Sequence, residues 1–237
     1  MGFPGFSKEG IEWLRALPGN NNRDWFEEHR PVYESQVKEP MLALVTSIND
    51  ALVERMPEYF QDHPAKALFR IYRDTRFSKN KTPYKTHLGA VYPRRGMGDK
   101  ASGLYFQIAA TGVGIAGGAY MPSSDSLRAI RVRIASEFES LDMMLRDRKL
   151  TKRMGALEGD ALSRPPKGFP ADHPAIALLK KKQFYFWKEL PPELLSSRKL
   201  EAEILNHFLV MRPVMLFLDD AVLALRRASS KHLDFLS

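Results

Sequence analysis

Residues 103–120 read GLYFQIAATGVGIAGGAY. Apolar side chains occupy every second position at Leu104, Phe106, Ile108 and Ala110, and the apolar run resumes at Val113 after Thr111-Gly112. Period two is the spacing of side chains on one face of a strand, and a short Gly-containing break joins two such runs into a hairpin. The stretch predicts strands over 103–111 and 113–120. Working outward, HLGAVYP at 87–93 reads as a further strand. So does 67–74, with Phe69 and Ile71 on one face and Arg70, Tyr72 and Asp74 on the other. QFYFWKEL at 183–190 reads as a strand that is apolar on both faces.

The flanking sequence has helical spacing. Ser7 caps a helix over 7–17 with Ile11, Leu14 and Leu17 on one face, and Asn22 caps the next. Pro40 opens a third helix that carries Leu44, Ile48, Leu52 and Met56 and is closed by Pro57. Beyond the strands, a cap among Ser123, Ser124 and Asp125 opens a helix with Leu127, Ile130 and Ile134. Asp172 caps a helix over 173–182. A helical pair, 197–211 and 213–228, is divided at Pro213 and followed by a loose tail from Ser229. Strands grouped between helices predict an α+β fold with a central, mainly antiparallel sheet packed with N-terminal and C-terminal helices. No Gly/Ser linker divides the chain, so a single domain over 1–237 is expected. A possible internal seam lies near 149–171, where Gly155, Gly159, Pro165, Pro166, Gly168 and Pro170 cluster.

The net charge is +8. Between Lys66 and Lys100 stand ten Lys and Arg against two acids, Asp74 and Asp99, while the remainder has 26 of each sign. One segment therefore carries the whole excess, which indicates an anionic partner for that segment. Its heart is FRIYRDTRFSKNKTPYKTH, residues 69–87. Recognition of phosphate or carboxylate needs converging cations, hydroxyls and loop N–H groups. Arg70, Arg73, Arg76, Lys79, Lys81, Thr82 and Lys85 supply that set, and Tyr84 is an aromatic platform for a base or sugar. The same residues also describe a solvated basic loop that covers a sheet edge.

Asp74 and His87 flank the loop and are the nearby candidates for proton transfer. Asp74 among so many cations is expected to stay ionised. The structural alternative is that Asp74 orients Arg73 or Arg76 and that His87 packs at a strand start. Three functions follow: binding of an anionic ligand, phosphate-bearing or nucleic acid; an enzyme acting on a small phosphorylated or carboxylated substrate; and an interaction module that docks on an acidic protein surface.

Other chemistry finds little support. There is no cysteine, which removes disulfides, thiolate metal sites and cysteine nucleophiles. The six histidines lack metal-ligand spacing, and neither a metal nor a cofactor is expected. Gly112, Gly114 and Gly117 match G-x-G-x-x-G, but they stand within a strand rather than between a strand and a helix. Glycines there let a ligand or another segment approach the sheet. The start, MGFPGFSKEG, has no apolar core of a signal peptide, and no run spans a bilayer. A cytoplasmic protein is expected.

Several blocks together resemble a known family. They are Asn21-Asn22-Arg23-Asp24-Trp25-Phe26; residues 69–87; Gly117-Gly118-x-Tyr120-x-Pro122 followed by Leu127 and Ile130-Arg131; and Pro166-Lys167-Gly168-Phe169 leading to His173-Pro174. Their order over nearly the whole chain is similar to the bacterial and fungal family designated domain of unknown function 2461. The resemblance implies one full-length domain and brings no catalytic residue with it.

Overall fold

The structure, a computed structural model, describes residues 2–97 and 102–234, from 228 onward as backbone only. Asp99 and Lys100 of the basic window, and the last three residues of the tail, lie outside the described residues. The fold is α+β. Four strands, β1 (His87–Pro93), β2 (Gly103–Ala109), β3 (Gly112–Ala119) and β4 (Phe184–Leu190), form one antiparallel sheet in that order. The β2–β3 hairpin is the one read from 103–120. Among the described residues, no helix is long and apolar enough to cross a membrane.

The chain divides into two compact units. The first comprises Met1–Tyr92, Tyr105–Ile115 and Glu189–Asn206. Its helix α1 (Lys8–Ala16) starts where Ser7 Oγ accepts the Gly10 N–H, and buries Trp13 and Leu14. Helix α2 (Arg23–Glu28) starts where Asn22 Oδ1 accepts the Trp25 N–H at 3.0 Å. The short α3 (Arg30–Val32) leads into a π-helical turn, Tyr33–Lys38, and then into α4 (Glu39–Arg55). Pro40 is thus accommodated in the first turn of α4, and the helix does not begin from a loop there. Met41, Leu44, Val45, Ile48 and Leu52 are buried on α4. Tyr92 of β1 donates its phenol to the Val45 carbonyl at 2.8 Å, so the sheet meets this helix through a buried hydrogen bond as well as apolar contact.

The second unit comprises Pro93–Leu104, Ala116–Lys188 and His207–Ser237. Helix α5 (Ser124–Ser136) is capped by Ser123 and followed by α6 (Phe138–Leu145) and α7 (Arg148–Met154). The 149–171 stretch lies inside this unit. Glycines of β3 admit a neighbouring chain segment. A Cβ on Gly118 (φ 134°) would stand 2.2 Å from the Phe184 carbonyl of β4, so the G-x-G-x-x-G match reflects strand packing.

Several sequence expectations are corrected. Residues 67–74 do not form a strand. They make two isolated antiparallel pairings, Leu68 with Ala90 and Tyr72 with Tyr84. Four positions separate Leu68 from Tyr72, whereas six separate Tyr84 from Ala90. Two extra residues therefore bulge from the second segment and break the ladder. Pro213 does not divide the last helix: α9 runs from Leu200 to Asp234 with Pro213 inside it. The proline removes one backbone bond, but Phe208, Met211, Val214, Met215 and Leu218 are buried around it and hold the helix together. The tail expected to be loose from Ser229 is helical through Asp234. Among the described residues Asp172 caps no helix. Only α8 (Ile176–Leu179) forms there, because His173 Nδ1 takes the Ala175 N–H and Lys181 pairs with Ala161.

Gly10 decides how closely α1 approaches the π-helical turn. A Cβ at this position would stand 2.3 Å from the Gln36 carbonyl. Gly10→Ala is therefore expected to destabilise the protein by about 1–3 kcal/mol, opposite in sign to the ~1 kcal/mol that helix propensity alone would add. Urea denaturation measures which effect wins.

Candidate functional site

The loop after Tyr72 belongs to the first unit, and its base is set by a side chain distant in sequence. In the Tyr72–Tyr84 pairing, the flanking residues carry the backbone bonds: Arg73 N–H donates to the Pro83 carbonyl and Lys85 N–H to the Ile71 carbonyl, both at 2.8 Å. The N–H and C=O of Tyr84 itself then point away from the 71–73 segment. Asn21 meets both. Its Nδ2 donates to the Tyr84 carbonyl and its Oδ1 accepts the Tyr84 N–H, each at 3.0 Å. One side-chain amide takes the place of a neighbouring strand. Asn22 next to it caps α2, which gives the paired asparagines two separate tasks.

Aromatic packing completes the base. The Tyr84 ring is 2% exposed and stacks on Phe26 with centroids 4.0 Å apart. It is covered by the protein's own aromatic cluster, so it is not an open platform. Tyr72 lies against the same pair of rings but remains exposed. Its hydroxyl accepts a 3.5 Å bond from Arg30, whose guanidinium pairs with Glu27 and lies over the Phe26 ring. Arg30 enters from α3, immediately before the π-helical turn.

The loop resolves much of its charge internally. Arg73 reaches inward: Nη1 donates to the Thr82 carbonyl (3.2 Å) and to Thr82 Oγ1, and Nη2 lies 3.5 Å from Ser78 Oγ. Thr82 in turn bonds to Asn80 through its N–H and its hydroxyl. Lys81 Nζ donates to the Thr75 carbonyl at 2.9 Å, and Lys85 Nζ to the Arg70 carbonyl at 3.1 Å. Asp74 accepts the Arg76 N–H and forms a bidentate pair with its guanidinium, 2.7 Å at the shortest. Arg76 holds the Asp74 carboxyl below its usual range, so it stays ionised near neutral pH. Asp74 orients Arg76.

What faces solvent is a mixture of cations and rings. Arg70, Arg76, Lys79 and Lys81 are exposed, as are Phe69, Tyr72 and Phe77. Phe77 is 95% exposed, and the Arg76 guanidinium sits 5.8 Å from its ring centroid. Phe77 is the residue the sequence reading passed over; its signal was an aromatic side chain inside an otherwise polar loop. The Arg30–Glu27 support was also missed, because it comes from a separate helix. Among the described residues, no group of three or more His, Asp and Glu side chains is placed to hold a metal ion. A groove of about 610 Å3 lined by residues between Asp125 and Leu225 belongs to the second unit.

Asn21 and His87 yield measurable outcomes. Asn21→Ala leaves the Tyr84 N–H and C=O without their partners, at a cost of about 2–4 kcal/mol; faster hydrogen exchange of the Tyr84 amide would locate the loss. His87 is half-buried, and burial together with Lys85 lowers its pKa from 6.5. The unfolded chain therefore binds this proton more readily than the folded one. The resulting stability is present above pH 6.5 and falls as the pH drops through the folded-state value. His87→Gln is expected to flatten that decline in denaturation midpoints measured between neutral and mildly acidic pH.

Comparison with curated proteins gives no match. The profile of a family described as "Conserved hypothetical protein (DUF2461)" matches residues 9–217, a span that contains both the Asn21 clamp and the loop it supports. The chain therefore belongs to the family designated domain of unknown function 2461.

Proposed function

We propose that the 69–82 loop binds a phosphate-bearing polyanion. The observation that carries this reading is the exposure of Arg70, Arg76, Lys79 and Lys81 on a loop braced by its own hydrogen bonds. Bracing matters because a flexible loop would lose conformational entropy on binding, which a pre-ordered loop has already lost on folding. The inward bonds of Arg73 and Thr82 make them organisers of the loop, and the outward cations are the binding groups.

Open geometry favours an extended ligand over a small enclosed substrate. Arg76 is 77% exposed, and Phe77 projects beside it. A side chain that projects this far touches a ligand lying across the surface, whereas small substrates are held in concave sites. Asp74 is already engaged by Arg76, and among the described residues no contact of His87 favours proton transfer. Binding is therefore the better reading.

Polyphosphate, an anion without bases, is the direct probe. Its affinity should fall linearly on a logarithmic scale as salt rises, because bound cations release counterions. Arg70→Gln and Lys79→Gln should each reduce the slope of that line by about 1. Titration by fluorescence anisotropy at several ionic strengths measures both quantities. Affinity that ignores salt, or tighter binding to polyglutamate than to polyphosphate, would overturn the reading, the latter in favour of an acidic protein surface.

A further inference from the structure

Electrostatics accounts for the cations of the loop but not for its aromatic side chains. Phe77 is 95% exposed in a loop whose backbone is fixed on both sides of it: Ser78 N–H donates to the Thr75 carbonyl, and Arg73 and Lys81 tie the loop ends to Thr82 and Thr75. The ring is thus held out in water by a structured loop. Phe69 and Tyr72 are also exposed, and all three aromatics fall in the most basic segment of the chain. A single exposed apolar residue is ordinary on a protein surface. Three exposed rings interleaved with Arg70, Arg76, Lys79 and Lys81 are the combination that single-stranded nucleic acid requires: cations for the backbone and π-faces for the bases.

We infer that the loop takes single-stranded nucleic acid, with Phe77 stacking on an unpaired base while Arg76, Lys79 and Lys81 meet the phosphates. This rests on the anion-binding reading of the same loop and adds the chemical class of the ligand. A duplex hides its base faces within the helix, so Phe77 would have nothing to stack on, and the cations alone would bind it. The Arg76 guanidinium beside the Phe77 ring offers a second planar surface for a base, because guanidinium groups stack as well as pair. Tyr72 is positioned for the same role at the loop base, its ring steadied by Phe26 and Tyr84 and its hydroxyl by Arg30. An apolar protein partner would also cover Phe77, but it would not need the surrounding cations.

The test uses the full chain with three probes: a short single-stranded oligonucleotide, its duplex, and polyphosphate. The single strand should bind most tightly. Phe77→Leu keeps an apolar side chain but removes the π-face. It should weaken the single strand by roughly 5- to 100-fold and leave polyphosphate affinity unchanged. Because Phe77 is exposed, the variant folds independently of the outcome. Equal affinity for single strand and duplex, with no effect of Phe77→Leu, would overturn the inference while the anion site stands. Loss of binding to all three probes would overturn the anion site as well. Binding of the single strand only through residues outside the loop, seen as full affinity in Arg76→Gln/Phe77→Leu, would also overturn it.

Discussion

One side-chain amide carries the local order of the loop region. A backbone segment that leaves a regular ladder must still satisfy its N–H and C=O groups, because burying them unpaired costs more than a formed bond returns. At Tyr84 the ladder faces Ile71 and Arg73, so the groups of Tyr84 itself face the other way. Asn21 meets them with one donor and one acceptor. An asparagine side chain carries both in the geometry of a peptide group, which aspartate and leucine do not. The position of the loop on the first unit follows from that match, reinforced by the Phe26–Tyr84 stack.

The basic segment then divides its charges by depth. Arg73 bonds inward to Thr82 and Ser78, and Arg76 neutralises Asp74, while Lys85 lies over Phe69 and reaches the Arg70 carbonyl. Like charges repel, and a loop this basic would expand without internal acceptors. Backbone carbonyls and hydroxyls provide those acceptors at no cost in net charge. The result is a small structured loop with its remaining cations and its rings directed to solvent.

The second unit meets a similar demand with ionised groups. The connection after β1 is tied to α9: Ser102 donates its N–H and hydroxyl to the buried Asp219 carboxylate, and Arg226 donates to the Gly96 and Met97 carbonyls. In the sequence Asp219 interrupts the apolar run VMLFLDDAVLAL. It is a buried acceptor, and a buried carboxylate needs such donors because desolvation penalises its charge.

The sequence alone determined the features that depend on near neighbours. The strand period of 103–120, the caps at Ser7 and Asn22, the α+β class and the concentration of charge in 66–100 all follow from local spacing and composition. Tertiary structure alone decided where spacing competes with packing. The alternation at 67–74 was real, but two extra residues between Tyr84 and Ala90 broke the ladder. Pro213 was a genuine helix breaker, but buried neighbours on both sides of it kept α9 continuous. Among the loop residues, only the fold could separate the inward Arg73, Thr82 and Tyr84 from the outward Arg76, Lys79 and Phe77. Their chemistry is alike in sequence; Tyr84 is turned inward by Asn21 and Phe26, more than fifty residues away, and Arg73 by Thr82 and Ser78 of the folded loop. Depth of burial depends on which distant segments arrive, and local pattern carries no record of that.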